Sequence, residues 1–264
     1  MTRSTLQRDL TADEVAHFRE HGWVFAPGLI ELETALRLAP EADRMLRASN
    51  YSSVTGLVDK AFKQHHDPRH DVPLTREIAL CAGAARNCAR LFRGAPRARL
   101  LQSNFVAKFG VGDEHENDVT MYHQDFPGHA IDRSEMATVW IALGTISPEM
   151  GALRFVDGSH RYGALGRSFV RENDDLLRVQ PWLNELTLTP AHAMRPGDAT
   201  IHHGLTVHGA PKNATRDPRL AYQLIYIDSE ALYDGAKLNK RWDALGLELH
   251  KPLDHPQFPM VPLD

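Results

Sequence analysis

The chain has 264 residues, enough to bury one substantial core. Thirty basic residues stand against thirty-four acidic ones for a net charge of −4, with no run of lysine or arginine, which argues against a nucleic-acid partner. No stretch is apolar for long enough to cross a bilayer, and Met1 to Leu10 lack the apolar centre of a secretory signal, so a cytoplasmic protein without a membrane partner is expected.

In chain order, Thr11-Ala12-Asp13-Glu14 has the form of a capping box and starts a helix that runs through Val15 and Phe18 to Gly22. Glu31 to Ala48 repeats Leu32, Ala35, Leu36, Ala39 and Ala42 at helical spacing, with Pro40 expected to kink or break it. The stretch from Gln64 to Pro73, crowded with His, Asp and Pro, is expected to be a solvated loop. A helix is expected over Ile78 to Phe92. On it Cys81 and Cys88 would lie about 10 Å apart along the axis, beyond disulfide reach, and serve as small packing residues in a reducing compartment.

Strands follow from Ala98. In Leu101 to Phe109, Gln102, Asn104, Val106 and Lys108 share one face while Phe105, Ala107 and Phe109 share the other, so one side reads as cavity and the other as core. The same alternation fits a strand with a solvent-facing side. Ala137 to Leu143 is a second apolar strand, and Gly158-Ser159-His160 reads as a strand-ending turn. Residues 161 to 187 look like an insertion of the length that serves as a lid, and substrate selection is expected there and in residues 51 to 75. Gly197-Asp198 is a turn, Ala199 to Val207 a β-like run reaching His208, and Pro211-Lys212-Asn213 a further turn before Arg219 opens the strand Leu220 to Ile227. A hairpin of this kind would set Arg219 just inward of His208.

His123-Gln124-Asp125 carries the chemistry. On an extended strand His123 and Asp125 project to one side while Gln124 points away, so both can reach one metal ion. A third ligand from a distant strand would complete a face; His208 fits best, and His202 and His203 compete with it. Two histidines and a carboxylate on one face of an octahedron leave three positions open, which suits Fe(II) that must also hold a cosubstrate and dioxygen. Arg219, leading directly into an apolar strand, has the planar fork that grips a carboxylate in bidentate fashion.

Taken with Gly151 to His160, the block from Gly197-Asp198 through His208-Gly209 to Arg219, and the segment Phe18 to Gly28, this pattern resembles the phytanoyl-CoA dioxygenase family of Fe(II)/2-oxoglutarate-dependent oxygenases between residues 10 and 230. The resemblance implies that His123, Asp125 and His208 bind iron, that Arg219 anchors the distal carboxylate of 2-oxoglutarate, and that Trp140 is an aromatic near the cosubstrate. Gln102 and Asn104 are candidates to touch cosubstrate or substrate. It also implies a mainly β, α+β fold: a double-stranded β-helix of the jelly-roll, cupin-like kind, supported by N-terminal helices. A single catalytic domain over 1–264 is expected, helical at about 10–95, β-helix core at about 98–230, and a C-terminal extension at 231–264.

The reaction implied consumes 2-oxoglutarate and dioxygen, releases succinate and CO2, and hydroxylates an aliphatic carbon of a small metabolite. In related halogenases a small residue replaces the carboxylate ligand; Asp125 is present here, which favours hydroxylation. Phe126, His129 and Arg133 are candidates for the substrate side. An acyl-CoA would need cationic groups for its phosphates, and no basic cluster is evident. Desaturation, epimerisation or ring formation at the same site, a cupin-like zinc or nickel hydrolase or isomerase, and a noncatalytic binding protein stay open on sequence alone, as does the oligomeric state.

Overall fold

A computed structural model describes residues 6–50, 56–92, 97–171, 173–236 and 240–262. Helix α1 (Ala12–His21) begins at a capping box in which Thr11 Oγ1 accepts the Glu14 amide and Glu14 Oε2 accepts the Thr11 amide, and it ends at Gly22 in the left-handed conformation. After strand β1 (Trp23–Ala26), α2 (Leu32–Ala48) runs straight through Pro40. Pro40 is exposed and Leu36, whose carbonyl loses its helical partner, is exposed too, so the proline lies on the solvent side of the helix, where an orphaned carbonyl costs least. The buried stripe is Ala35, Leu38, Ala42, Met45 and Leu46. Leu32 and Leu36, expected inside, lie on the outer face.

Helix α3 (Leu57–Ala61) leads to β2 (Lys63–His66), where a solvated loop was expected. The segment is held because β2 pairs with β3 (Ala98–Lys108), and Asp67, Pro68 and Arg69 beyond it are buried in a 3-10 turn. The single helix expected over 78–92 is two, α4 (Pro73–Ala79) and α5 (Ala82–Leu91). Cys81 separates them as the N-cap of α5, its sulfur accepting the Ala84 amide. Both cysteines are free thiols.

The remaining strands are β4 (Thr120–His123), β5 (Met136–Ala142), β6 (Arg154–Phe155), β7 (Ala199–His203), β8 (His208–Ala210) and β9 (Arg219–Asp228), with short helices α6 (Leu176–Val179) and α7 (Lys240–Asp243). One antiparallel sheet has the order β1-β7-β5-β9-β3-β2, and a smaller one has β4-β8-β6. This is the jelly-roll core expected. The expected β8/β9 hairpin does not form: β8 lies in the small sheet and β9 in the large one, between β5 and β3. Asn213 stabilises the crossing by donating to the Lys108 and Asp217 carbonyls and accepting from the Thr215 amide.

The period-two alternation sorts the large sheet's faces. Phe105, Ala107, Val139, Ile141, Ile201, Tyr222, Leu224 and Tyr226 pack on the helices. Gln102, Asn104, Thr138, Trp140, His202, Gln223 and Arg219 belong to the opposite face, which looks towards the small sheet. In Leu101 to Phe109 the division of core and cavity sides therefore follows the alternation, except at a bulge between Leu100 and Gln102.

His203 sits on the helix side, against Phe18 and His160 in a cavity also lined by Arg19, Glu135 and Arg161. Burial, with repulsion from His160 and His202, pushes it down to about 4. Its folded value lies below the unfolded one, so the unfolded chain binds more protons between about pH 4 and 6.5, and stability is lost as pH falls through that window. His203→Gln is expected to flatten this limb by about 1–3 kcal/mol, read as denaturant midpoints across it; an unchanged slope would place the acid sensitivity elsewhere.

Candidate metal centre and cosubstrate pocket

His123 ends β4 and pairs in register with His208, which opens β8, so two imidazoles stand side by side on the small sheet. Their Nδ1 atoms meet backbone carbonyls, Met121 O at 2.7 Å and Thr206 O at 3.0 Å. A carbonyl only accepts, so each Nδ1 carries a proton, and in the neutral ring each Nε2 keeps its lone pair. Both Nε2 atoms face Asp125 Oδ1, at 3.5 Å from His123 and 3.7 Å from His208, and the three ligand atoms lie within 4.8 Å of one another.

Asp125 does not continue the strand, as had been expected. Its backbone is helical, it leads into a 3-10 turn over Phe126–Gly128, and the Phe126 amide bonds the Gly204 carbonyl. The turn, rather than the pleat, swings the carboxylate beneath the imidazoles. Its second oxygen, Oδ2, accepts Thr138 Oγ1–H at 2.7 Å and His202 Nε2–H at 3.1 Å, both from the large sheet. Burial opposes the charge on Asp125, but His208, His123 and His202 hold its carboxyl well below the usual range, while burial, His202 and His123 keep His208 neutral. An ionised carboxylate and neutral imidazoles with open lone pairs are what a divalent ion requires.

The rival histidines thus separate. His202 is a hydrogen-bond partner of the carboxylate, and His203 faces the other side of the sheet. Gln124 is buried, donating to the Gly163 and Leu205 carbonyls and accepting the Leu165 amide, which fastens the 161–187 insertion to the metal motif. Asp175 adds a second tie by accepting the Tyr122 amide. The insertion then lays Phe169 edge-on against His123, with ring centroids 4.9 Å apart.

Arg219 is 3 % exposed and lies over the Trp140 ring, guanidinium carbon to centroid 5.0 Å. One terminal nitrogen donates to the Gly151 carbonyl, while the buried Nε has no hydrogen-bond partner among the described residues. Burial pushes the guanidinium down to about 9, still charged at neutral pH. Such a cation gains from a carboxylate brought against it. Lys108, its register neighbour on β3, is fully buried and donates to the Ala61 and Asp118 carbonyls. Asn104 sits in a chain of polar groups, its Oδ1 accepting from His66 Nδ1 at 2.8 Å and its Nδ2 donating to Gln223 Oε1 at 2.9 Å. Gln102 lies further along, beside Trp242 of the C-terminal extension.

Of the residues expected on the substrate side, Phe126 packs on the apolar cluster of the C-terminal extension and His129 lies against Trp242. Arg133 is engaged with Asp132 and Asp228. Sequence reasoning missed Thr138, His202 as a carboxylate partner, Phe169 and Gln223. Thr138 shares a strand face with Trp140, which was the one available signal.

A family model described as phytanoyl-CoA dioxygenase (PhyH) matches residues 12–221. The chain belongs to this family. PhyH proteins are iron- and 2-oxoglutarate-dependent oxygenases acting on small molecules, and this chain is a dioxygenase-type oxidoreductase. It is 26 % identical over 241 residues to the multifunctional dioxygenase prhA of Penicillium brasilianum, covering 83 % of this chain and 73 % of that protein. Among solved structures, the epimerase SnoN in complex with Fe3+, alpha ketoglutarate and nogalamycin RO aligns with a TM-score of 0.78 at 23 % identity, over 95 % of this chain and 98 % of that one. The carbocyclase SnoK from nogalamycin biosynthesis gives 0.78 at 24 %, over 96 % and 97 %. In this PhyH chain, no helix among the described residues is long and apolar enough to cross a membrane.

Thr138→Val keeps the shape at β5 and removes the hydroxyl that fixes Asp125 Oδ2. Divalent-ion affinity, measured by competition with a chromophoric chelator, is expected to fall about tenfold with the melting temperature nearly unchanged; equal affinity in the variant would show that the hydroxyl does not orient the carboxylate.

Proposed function

We propose that this PhyH protein hydroxylates an unactivated aliphatic carbon of a small metabolite, in secondary metabolism, consuming 2-oxoglutarate and dioxygen and releasing succinate and CO2. The observation that carries the reading is the pairing of an open His123–Asp125–His208 face with a buried arginine whose Nε lacks a partner among the described residues. The donor set fits a ferrous ion: two Nε2 lone pairs and one carboxylate oxygen are free of protein hydrogens, and the other atoms of the three groups are occupied.

In this reading His123, Asp125 and His208 hold the iron. Bound there with its cosubstrates, iron supplies the oxidising power that attacks an unactivated C–H bond. Thr138 and His202 keep Oδ2 engaged, so Oδ1 stays turned to the ion. Arg219 binds the distal carboxylate of 2-oxoglutarate with Trp140 beneath it, and Asn104 with Gln223 offers amide groups along the same wall. Phe169 shields the His123 side from water. The helical part at 10–95, the core at 98–230 and the extension at 231–264 act as one catalytic domain. Epimerisation or ring closure is the second reading, favoured by the likeness to SnoN and SnoK. Product mass separates them: a gain of one oxygen for hydroxylation, an unchanged mass or loss of two hydrogens for the alternatives.

His123→Ala is expected to reduce 2-oxoglutarate-dependent succinate formation to background while the circular dichroism spectrum stays native; undiminished succinate would overturn the ligand assignment. Arg219→Ala is expected to raise the apparent KM for 2-oxoglutarate about 10- to 100-fold, the loss of a charge-assisted pair, with metal affinity unaltered. Turnover that continues without 2-oxoglutarate would replace the oxygenase reading by a hydrolase or isomerase one.

A further inference from the structure

The stretch between Leu165 and Asp175 is fastened on both sides of His123. Gln124, which follows His123, accepts the Leu165 amide, and the amide of Tyr122, which precedes it, donates to Asp175 Oδ2 at 2.7 Å. Asp175 is fixed in turn as the N-cap of α6, its Oδ1 accepting the Leu177 amide. The stretch therefore straddles His123. Phe169, near its middle, is the residue that reaches the imidazole, edge-on with ring planes at 75°.

Phe169 arrives there in a backbone conformation that its side chain disfavours. Its φ is +61°, in the left-handed region where Cβ crowds the following carbonyl and where a bulky residue is a rarity. Asp174 imposes it. One carboxylate oxygen, Oδ2, accepts both the Val170 and Arg171 amides at 3.0 Å, and the Asp174 carbonyl accepts Ser168 Oγ–H at 3.2 Å, so the bonds bracket Phe169. The turn sends Phe169 inward, half-buried, and leaves Val170 exposed. Backbone strain that the surroundings hold in place is characteristic of functional sites rather than of packing alone.

The metal centre is unequally covered. His208 is buried, with the rings of His202 and Phe155 beside it at 4.1 and 6.3 Å, whereas His123 and Asp125 are half-buried. The centre is thus more open on the side of His123, and Phe169 stands there.

We propose that Phe169 decides what reaches the ion from that side, admitting an apolar carbon of the substrate and excluding charged groups and water, and that Asp174 is the positioning residue that holds the ring in place. The inference rests on the oxygenase reading above and deepens it. A benzene ring offers a carbon skeleton close packing but no hydrogen bond for an anion, so a charged group set beside it gives up its water without a partner. The substrate this implies has an apolar face next to the carbon that reacts, with its polar groups elsewhere.

The test uses the full-length protein loaded anaerobically with Fe(II) and 2-oxoglutarate and titrated with two small probes of the ion: azide, which is charged, and nitric oxide, which is apolar. Phe169→Ala is expected to lower the azide Kd about tenfold or more and to change the nitric oxide Kd by less than about twofold, both read from optical spectra. Asp174→Ala keeps the ring but frees the turn, so it should behave like Phe169→Ala, and the double variant should add nothing further, as for two residues acting as a unit. A merely structural role would not couple the two in this way. Phe169→Gly removes ring and strain together and should melt about 2–4 °C above Phe169→Ala; that comparison decides the role of the clamp if Asp174→Ala does not fold. An unchanged azide Kd in Phe169→Ala, a double variant whose effects add, or a glycine variant no more stable than the alanine one overturns the proposal. His123→Ala separates it from the oxygenase reading. If that variant loses nitric oxide binding while azide is indifferent to Phe169, the reading stands and the proposal falls; nitric oxide binding that survives His123→Ala removes the reading itself and the proposal with it.

Discussion

The carboxylate of Asp125 is the point on which the structure turns, because it joins the two sheets. It rises from the turn that ends β4 of the small sheet, and its Oδ2 is held by Thr138 on β5 and His202 on β7 of the large one. A buried carboxylate is costly unless its lone pairs are met and its charge is balanced. Two donors meet one oxygen; the other faces the Nε2 atoms of two imidazoles whose Nδ1 protons are committed to main-chain carbonyls. The arrangement is therefore incomplete as protein alone and complete with a cation. Polar satisfaction on one side and deliberate exposure of lone pairs on the other give the same carboxylate a structural task and a chemical one.

A similar division governs the large sheet. Its helix side is nearly all apolar, while its inner side carries rows of polar groups set by register: His66, Asn104, Gln223 and Trp140 in one row, Gln102, Ile225, Thr138 and His202 in the next. Neighbouring rows serve different ends because a pleat advances about 6.6 Å between like-facing residues. The row nearer Arg219 ends at Trp140, over which the guanidinium lies. The other ends at the carboxylate partners on one flank and at the C-terminal extension on the other. Arg219 and Lys108 meet at one end of this wall, where burial pushes the guanidinium down to about 9 and, with Arg219 beside it, the Lys108 amine down to about 6.

How much was legible follows from how local each determinant is. His123, Gln124 and Asp125 are consecutive and could be read directly, although the reason they converge is a 3-10 turn rather than an extended pleat. The capping box at Thr11 is likewise a four-residue fact. Pro40 misled because a proline's cost depends on whether the orphaned carbonyl reaches water, which is a property of the fold. The hairpin expected between His208 and Arg219 failed for a related reason: sequence proximity favours pairing, but in a jelly roll the chain crosses between sheets, and the strands flanking the crossing have other partners. Thr138 and His202 could not be linked to Asp125 without the β5 and β7 register, and Trp242 offered no pattern at all.

That last residue marks a separation between the strands of the core and the segments attached to them. The groups proposed to hold the ion and the cosubstrate lie on β4, β5, β8 and β9 or in the turn that follows β4, elements fixed by ladder bonds or by the buried ties of Gln124 and Asn213. Other segments are attached around them: Phe169 lies on an insertion fastened at two points, and Trp242 on an extension fastened along one strand. Attached segments can change in length and side chain without disturbing the carboxylate, since none of them supplies a ligand or a partner of Oδ2. A rigid centre with replaceable walls is a physical reason why a shared metal motif identifies a family while leaving the reaction's outcome and the substrate to be argued from the walls.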